Sequence, residues 1–449
     1  MRLPVMTLRP RSPLAFAAVA QVLIATVSLV AALSIGWKTQ WWGSDVAAMA
    51  RVEPSSAEVT ALLKKHAAAL RGRDRSAFAA DLDNGAVSRD YRNAQLSAFD
   101  NMAQVPLGSW DLSVESMVPP DQATTEATGR LSAPARIAKV QLTYGLEGID
   151  PAPTQHSLWL TFVRRGNNIR IASDSDLADE AGKSWKGPWD FGPVVVARGK
   201  ASIVLAHPSS AAQLTSLTAS VDSAVAAVTS LWGTNWPRKV AVFVPDNQDE
   251  TSQVIGQDLD LDRIAAASIA DVNEPQNKLF LGQRVVVNPL QLSKLSDVGR
   301  QIVITHEVAL IATRPSVGPE LPFWLIEGFA EYVANLNTNQ SVPTAAAELK
   351  RDVQAGTLPA ALPTAQDFYT YNIALPQTYE QAWLACRLIA ERVGAAGLVT
   401  FIKTVSDATQ AIPPMSADDA LASALTSQLG LTTAEFIALW VSYLRQLLG

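Results

Sequence analysis

The sequence predicts an α+β protein that begins with a transmembrane helix and continues as two α+β parts. Three observations predict this class: a long uncharged apolar stretch near the N terminus, helical patterning that gives way to alternating strands near Trp110, and a second group of short strands followed by helices to the C terminus. With 449 residues, 48% of them hydrophobic and 17% charged, the chain can build more than one core. Wholesale disorder is therefore excluded.

Charge and cysteine content exclude several classes of function. The 42 acidic residues outnumber the 36 basic residues and give a net charge of -6, which argues against a protein that binds nucleic acid through a basic surface. Cys386 is the single cysteine, so the chain has no internal disulfide, no cysteine-based zinc site and no iron–sulfur cluster. Because Cys386 lies in an apolar helical run, we expect it to be a buried hydrophobic side chain.

Residues 14–36 are predicted to form a membrane anchor. No charged residue lies between Leu14 and Ile35, and a helix of this length crosses the roughly 30 Å hydrocarbon core of a bilayer. Residues 1–13 contain arginines and no acidic residue, so the positive-inside rule places this tail in the cytoplasm and the bulk of the chain outside the cell membrane. The competing interpretation is a cleaved signal peptide, whose apolar core is usually shorter, about 7–15 residues. The sequence favours an uncleaved, single-pass anchor, followed by a linker at 37–54.

Residues 55–182 are predicted to form the first extracytoplasmic domain. It opens with a capping box at Ser55 and Glu58, after which apolar residues recur at helical spacing. Further helical stretches then precede period-two patterning, which predicts an antiparallel meander. The later helices are predicted around 75–81 and 87–102, and five strands at 109–118, 123–131, 136–147, 156–165 and 167–173.

This order of helices and strands resembles the NTF2-like (SnoaL-like) cone fold. The resemblance implies an α+β cone, whose open mouth holds a ligand in many members while others are only interaction modules. The residues point to no acid–base pair that would catalyse a reaction in this domain. We expect His66, on an apolar helix face, and His156, at the start of a strand, to be packing residues.

Residues 183–449 are predicted to contain a small β lobe, within about 194–287, and then a mostly helical lobe. Two strands are expected within 183–207, a strand at 240–244 and a strand pair within 278–289, with a helix at about 209–232. The C-terminal run from Phe436 to Leu447 is apolar at helical spacing, and its polar face is not basic. It is therefore expected to pack on the helical lobe rather than on a membrane.

One predicted helix of this second part carries a histidine followed by a glutamate. The segment 299–314 reads GRQIVITHEVALIATR and ends before Pro315, as a helix should. His306 and Glu307 lie in its middle. A bare His-Glu pair is a weak signal, so a role for it requires further matching residues elsewhere in the chain.

A second predicted helix carries two further glutamates. The segment 322–335 reads PFWLIEGFAEYVAN, and Glu327 and Glu331 are four residues apart, which places them on one helix face. The two helices together resemble the arrangement of gluzincin zinc metallopeptidases. The segments LPFWLIEGFAEYVA and VVVNP resemble the bacterial peptidase MA-like families, and the resemblance covers roughly residues 183–449.

The resemblance implies a role for each of these side chains. In such peptidases three protein ligands hold zinc, a glutamate takes a proton from the zinc-bound water, and a further acid orients the first histidine. Carried over to this sequence, the zinc ligands would be His306 and Glu327, the general base Glu307, the orienting acid Glu331, and the residue that stabilises the oxyanion Tyr379 or, alternatively, Tyr371.

The sequence departs from the family pattern at Leu310, where the second zinc-binding histidine of an HExxH motif would stand. Leucine has no lone pair to give to a metal, and the neighbouring residues are apolar or, like Thr313 and Arg314, placed on other helix faces. His207, far upstream, can replace the missing ligand only if the fold brings it near. We therefore expect no cofactor, and zinc only if the site is functional.

Without a metal, the negative charge of the clustered acidic residues is expected to be compensated by a protonated histidine. Clustered carboxylates raise one another's pKa, and a charged imidazole relieves that repulsion. We therefore predict that His306 is protonated and paired with Glu327 or Glu331.

Three functions are compatible with the sequence, in decreasing order of support. The first is a membrane-anchored extracytoplasmic protein whose degenerate peptidase-like domain acts in binding or scaffolding. The second is an active membrane-anchored zinc metallopeptidase with a non-standard ligand set that hydrolyses peptide bonds. In the third, the cone domain binds a small ligand and the peptidase-like part supports it. The expected partners are the membrane, through residues 14–36, and a peptide or protein, with no nucleic acid.

Overall fold

The computed structural model describes residues 53–119, 121–177, 183–256 and 260–449. The predicted cytoplasmic tail and anchor, and nearly all of the linker, lie outside these residues and stay predictions. From Glu53 to Gly449 the chain forms one compact unit, and the domain boundary predicted before residue 183 falls within it. Helices and sheets are mixed throughout the described residues, in agreement with the predicted α+β class.

An antiparallel sheet with helices forms the first part of this unit. The elements are α1 (Ser56–Arg71), α2 (Arg75–Ala80), α3 (Arg89–Asn101), β1 (Leu107–Met117), α4 (Gln122–Leu131), β2 (Ala135–Leu146), β3 (Thr154–Arg165) and β4 (Asn168–Ser173). The strands are arranged in the order β1-β2-β3-β4, and each neighbouring pair is antiparallel. Helix α1 begins at the predicted capping box, in which the Ser55 side chain accepts the N–H of Glu58 and the Glu58 side chain accepts the N–H of Ser55.

The prediction of a strand at 123–131 is wrong, because this segment belongs to helix α4. Asp121 caps the helix by accepting the backbone N–H three residues further on. Ala123, Ala127 and Leu131 recur at four-residue spacing and are buried. The threonines of the segment favour a strand by propensity, but the cap and the spacing prevail because they allow one face to be buried against β2. The meander therefore has four strands rather than five.

A five-stranded mixed sheet and two helices form the next part of the unit. The elements are β5 (Val195–Arg198), β6 (Ser202–Ala206), α5 (Leu214–Trp232), β7 (Val240–Val244), α6 (Gln248–Ile255), β8 (Ala266–Ile269), β9 (Val272–Glu274), β10 (Leu279–Leu281) and β11 (Arg284–Val287). The strand order is β5-β6-β7-β11-β8, in which the three central strands are parallel and both outer strands antiparallel to their neighbours. Strand β8 is thus an edge of the sheet.

Helix α5 is the apolar helix of this sheet. By length and composition alone, Pro208–Trp232 could cross a membrane. Its residues Val221, Val225 and Val228 recur at helical spacing and are buried in the same core as strands β6 and β7. This one-sided burial is the pattern of a core helix in a globular domain.

The strand pair predicted within 278–289 exists, but its two strands do not pair with each other. Strand β10 pairs with β9 in a separate two-stranded sheet, whereas β11 joins the five-stranded sheet. Gly282, between them, has a φ of +62°, a conformation that glycine adopts without strain. The chain therefore changes direction there and passes from one sheet to the other. Strands β8 and β9 were not predicted from the sequence.

The remainder of the chain is helical, as predicted. The helices are α7 (Pro289–Ser293), α8 (Asp297–Thr313), α9 (Phe323–Leu336), α10 (Val342–Ala345), α11 (Ala347–Gln354), α12 (Leu375–Val393), α13 (Ala395–Thr409), α14 (Ala417–Ala424) and α15 (Thr433–Leu448). Helix α9 approaches α12 closely at Gly328, where an added Cβ would lie 2.3 Å from the carbonyl oxygen of Ala382 and 2.9 Å from Sγ of Cys386. Cys386 is fully buried in this contact, as expected.

The C-terminal helix α15 packs on this helical lobe, in agreement with the prediction. Phe436, Trp440, Leu444 and Leu448 are buried, four residues apart, and they belong to the same apolar core as helices α8, α9 and α12. The helix thus closes the lobe to which α8 and α9 belong.

Candidate functional site

Two adjacent helices position the acidic residues and the histidine of the site. Helix α8 is capped by Ser296, whose side chain accepts the N–H of Gly299, and its middle turns place His306 in the interior. Helix α9 packs against α8, and it presents Glu327 and Glu331 one turn apart. The structure therefore brings together the residues that the sequence analysis selected from two separate helices.

His306 lies between two carboxylates. Its Nε2 is 3.1 Å from Oε2 of Glu327, and its Nδ1 is 3.0 Å from Oε1 of Glu331. Burial disfavours the charged imidazole, but the contacts with Glu327 and Glu331 outweigh it and raise the pKa of His306 well above its usual value. His306 is thus an imidazolium paired with both carboxylates, whereas the prediction paired it with one or the other.

Glu307, the candidate general base, is buried beside the edge strand β8. Burial raises the pKa of Glu307, while the charge of His306 and a hydrogen bond from the Ser268 hydroxyl oppose that rise. Glu307 is 8% exposed and lines the same cleft as His306. Its carboxyl group is therefore already held by protein partners.

Arg314 is a residue of this site that the sequence analysis placed wrongly on another helix face. Helix α8 ends at Thr313, and Arg314 opens a 3₁₀ turn that brings its side chain back into the cleft. Its Nη2 donates to the carbonyl oxygen and to Oγ of Ser268, both at 2.8 Å. Burial lowers the pKa of Arg314, and the nearby carboxylates of Glu307 and Glu327 oppose that shift. The site therefore contains a second cation.

Leu310 lies one turn after His306, as the motif spacing requires, and lines the cleft. Its side chain packs against the main apolar core. The position where a second histidine would face a metal is thus filled by an aliphatic group. This is the feature of the site that the sequence revealed most directly.

The two candidate tyrosines occupy different places. The ring of Tyr379 lies 5.7 Å from the imidazole of His306, edge to face, and lines the cleft. Burial and then the neighbouring glutamates raise the pKa of Tyr379 well above its usual value, so it is a neutral hydroxyl. Tyr371 is 73% exposed and contacts the ring of Tyr369 outside the cleft. Only Tyr379 is placed to contact a ligand beside His306.

His207 does not supply a missing ligand. Its Nδ1 is 2.9 Å from the carbonyl oxygen of Pro193, and its Nε2 is 2.8 Å from Oε1 of Glu250. Both ring nitrogens are therefore engaged elsewhere, and His207 does not line the cleft. His66 and His156 are buried packing residues, stacked on Phe78 and Trp185 respectively.

The cleft itself runs between the sheet edge and helix α8. It has a volume of about 320 Å³. One wall is residues 263–268, which lead into and form most of β8, and the other is the face of α8 that carries Leu310. Phe368 and Leu375 from the helical lobe add apolar surface. The cleft is therefore apolar at its walls and charged at its floor.

The donor set does not fit a zinc ion. Catalytic zinc takes three protein ligands and keeps a fourth position open. His306 and Glu327 are two donors, but Leu310 supplies none, and Arg314 brings a positive charge toward the same carboxylates. Among the described residues, no group of three histidine, cysteine or acidic side chains is arranged to hold a metal ion.

Comparisons with known proteins give only distant structural neighbours. No family model matches the chain, and no curated protein is detectably similar to it. Among solved structures, the chain is similar to an M1 zinc metallopeptidase from Deinococcus radiodurans, with 15% identity and a TM-score of 0.35, over 68% of this chain and 60% of that chain. It is also similar to native yeast LTA4 hydrolase, with 15% identity and a TM-score of 0.33, over 62% of this chain and 43% of that chain.

These similarities are too low to establish a shared fold, because both TM-scores lie below 0.5. The matched region also spans less than two thirds of either neighbour. The chemistry of the cleft therefore rests on the contacts of its own residues.

Proposed function

We propose that this chain is an extracytoplasmic protein, anchored in the cell membrane by residues 14–36, whose peptidase-like cleft binds a peptide or protein segment without hydrolysing it. The observation that carries this proposal is the pair of cations at the floor of the cleft. His306 and Arg314 face the acidic side chains. A zinc peptidase would need three protein ligands here, and in this chain Leu310 stands where the second histidine would be one of them.

The charges of the site are nearly balanced without a metal. Three carboxyl groups, those of Glu307, Glu327 and Glu331, face the imidazolium of His306 and the guanidinium of Arg314. Buried carboxylates are stable when cations and hydrogen bonds compensate them. A divalent ion would add charge to a set that is already compensated, and it would have to displace the proton of His306.

The candidate base is also poorly placed to activate water. Glu307 would have to be free to accept a proton from a nucleophilic water. Its carboxyl group instead lies beside the Ser268 hydroxyl, which acts to lower the pKa of Glu307 and which accepts a hydrogen bond from Arg314. We infer that these three residues fix the edge strand to helix α8 rather than carry out hydrolysis.

The edge strand β8 supplies the binding surface. Asn288 donates its N–H to the carbonyl oxygen of Ala265, and antiparallel strands alternate between groups that face the partner strand and groups that face away. By this alternation, the backbone of Ala266 and Ser268 faces the cleft rather than β11. An extended peptide can therefore pair with the N–H and C=O of Ala266, while its side chains contact the apolar walls.

Zinc content tests the catalytic half of the proposal. The full-length protein, purified in a non-ionic detergent and analysed by plasma mass spectrometry, is expected to contain almost no zinc. Leu310→His supplies the missing imidazole and is expected to raise the content to about one ion per chain. Leu310→Asn, which is similar in size but lacks the imidazole, is the matched control and should stay empty.

Two outcomes would contradict this half. Wild-type protein that holds about one zinc per chain and cleaves peptides, with cleavage lost in Glu307→Gln, would establish the active peptidase instead. A Leu310→His variant that stays without zinc would show that Leu310 is not what excludes the metal.

Peptide binding tests the other half. Dye-labelled tryptic peptides of casein are mixed with the full-length protein, and fluorescence anisotropy measures binding. Ala266→Pro removes the cleft-facing N–H and is expected to weaken binding by about fivefold or more. Ala266→Val keeps that N–H and should bind like the wild type, so equal binding by the proline variant would refute pairing with β8.

A further inference from the structure

A second cavity lies under the antiparallel sheet, away from the cleft. It has a volume of about 70 Å³, which is more than one water molecule occupies. Its walls come from α1, α3 and the inner face of the meander, and they are mainly apolar. Three tryptophans line it: Trp110 and Trp185 each lie within 6 Å of Trp189, ring centre to ring centre.

A wider pocket of about 380 Å³, here called the mouth, adjoins the cavity at the surface. Tyr91, Asp174, Lys186 and Asp190 line both the cavity and the mouth. The passage from the surface to the tryptophans is therefore bordered by ionisable side chains, with Asp90 further out. An entering molecule meets charged groups first and aromatic rings second.

The charges at this passage are not balanced. The ammonium of Lys186 is 2.5 Å from Oδ2 of Asp174, so these two side chains neutralise each other. Oδ2 of Asp190 accepts the N–H of Gly187, and within the described part of the chain no lysine or arginine forms an ion pair with Asp190. Asp190 is exposed at this passage, so water hydrates its carboxylate and it is an anion at neutral pH. Its Oδ1 accepts no hydrogen bond from the residues that the structure describes.

We propose that this cavity binds a small organic monocation, with its ammonium group against the carboxylate of Asp190 and its apolar or aromatic body among Trp110, Trp185 and Trp189. A carboxylate–ammonium contact is a charge-assisted hydrogen bond. The tryptophan faces add cation–π attraction and apolar burial. An anion would be repelled by the unpaired carboxylate, and a neutral molecule would leave it uncompensated.

The selectivity for charge is tested with three fluorinated probes of nearly equal size. The full-length protein in non-ionic detergent is titrated with 4-fluorobenzylammonium, 4-fluorobenzyl alcohol and 4-fluorobenzoate at slightly alkaline pH, and fluorine NMR linewidths report binding. The cation is expected to bind about tenfold or more tightly than the alcohol. The benzoate should show no broadening.

Variants locate the site. Asp190→Asn keeps an oxygen that accepts the Gly187 N–H but removes the charge, and it is expected to weaken binding of the cation by about tenfold or more. Asp297→Asn removes the same charge from a side chain that is 95% exposed on helix α8, and it should change nothing. Ala98→Leu fills the cavity from α3 and should abolish binding while Asp190 is intact.

Three results would overturn the proposal. These are equal affinity for the cation and the alcohol, unchanged cation binding in Asp190→Asn, or no broadening of the cation signal by the wild-type protein. Circular dichroism of each variant shows whether it is folded. If Ala98→Leu fails to fold, Asp190→Asn, which preserves the local hydrogen bond, still decides the outcome.

Discussion

Two buried histidines in this chain contact glutamates, but only one of them faces a cleft. The side chains of His207 and Glu250 are 3% and 1% exposed, and the pair is 2.8 Å apart. His306 is 9% exposed and contacts Glu327 and Glu331. In each case the contacts with carboxylates raise the pKa of the histidine, so the two sites share their basic electrostatics.

They differ in what remains after the histidine is paired. The second oxygen of Glu250 accepts the N–H of Asp246 at 2.8 Å, and both ring nitrogens of His207 have partners. Around His306 there remain another carboxyl group, that of Glu307, and the guanidinium of Arg314. A buried histidine–acid pair is therefore structural in itself. A functional site is indicated when further charged groups, beyond those of the histidine–acid pair, border an open cleft.

The largest effect on the free energy of unfolding is expected at the His207–Glu250 pair. His207→Leu removes the only charged partner of Glu250 among the described residues and should lower the free energy of unfolding by about 3–5 kcal/mol, because a buried charge loses its partner. Urea denaturation of the full-length protein measures this. His207→Gln retains a donor and should cost less, and a loss below about 1 kcal/mol for the leucine variant would show that the pair is not structural.

A smaller effect is expected in the cleft. Glu327→Gln leaves His306 in contact with Glu331. The free energy of unfolding should therefore fall by only about 1–2 kcal/mol. The same urea measurement applies, with Glu331→Gln as the matched variant on the next turn. A loss as large as that of His207→Leu would mean that Glu327 alone holds His306.

The His207 pair should also give stability a defined pH dependence. The hydrogen bond to Glu250 raises the pKa of His207 in the folded protein, above the unfolded value of about 6.5. Its contribution is therefore complete below about pH 6.5 and is lost as the pH rises through the folded pKa. Urea midpoints of wild type and His207→Gln should differ most at acidic pH and converge in alkali, and a gap that widens in alkali would reverse the assignment.

The smallest effect is expected for an ion pair at the surface. Arg351 contacts Glu348 with its side chain 70% exposed. Arg351→Gln should therefore change the free energy of unfolding by only about 0.3–0.5 kcal/mol, because water screens the pair. This variant gives the smallest change in the free energy of unfolding with which the other variants are compared. A loss comparable to that of Glu327→Gln would remove the contrast between buried and exposed pairs.

The sequence predicts the two helices of the site well, because their signals are local. Their helical spacing and the proline just beyond α8 define them, and the four-residue spacing of Glu327 and Glu331 fixes a shared face. The position of Leu310 is given by the same spacing. That these two helices would lie side by side came from the family resemblance rather than from periodicity.

The role of Arg314 could not be read from the sequence. Helical spacing stops at Thr313, and the 3₁₀ turn after it redirects the side chain toward Ser268, 46 residues earlier in the chain. Ser268 lies on β8, a strand of four residues without a clear period-two pattern. A contact between an unpredicted strand and a residue beyond a helix end depends on tertiary structure.

The error at helix α4 has a different origin, since the local signal was present. Asp121 is an N-cap residue followed by alanines and a leucine at four-residue spacing. The prediction of a strand gave more weight to the β propensity of the threonines between them than to this helical pattern. Capping residues should therefore be weighed before β propensity in short segments.

The most direct test of the central claim is a crystal of the wild-type protein grown with zinc and measured at the zinc absorption edge. We predict no anomalous peak between His306 and Glu327, because Leu310 offers no donor and Arg314 already compensates the carboxylates. A peak at that place with tetrahedral coordination would contradict the account, and the cleft would then be that of a zinc enzyme.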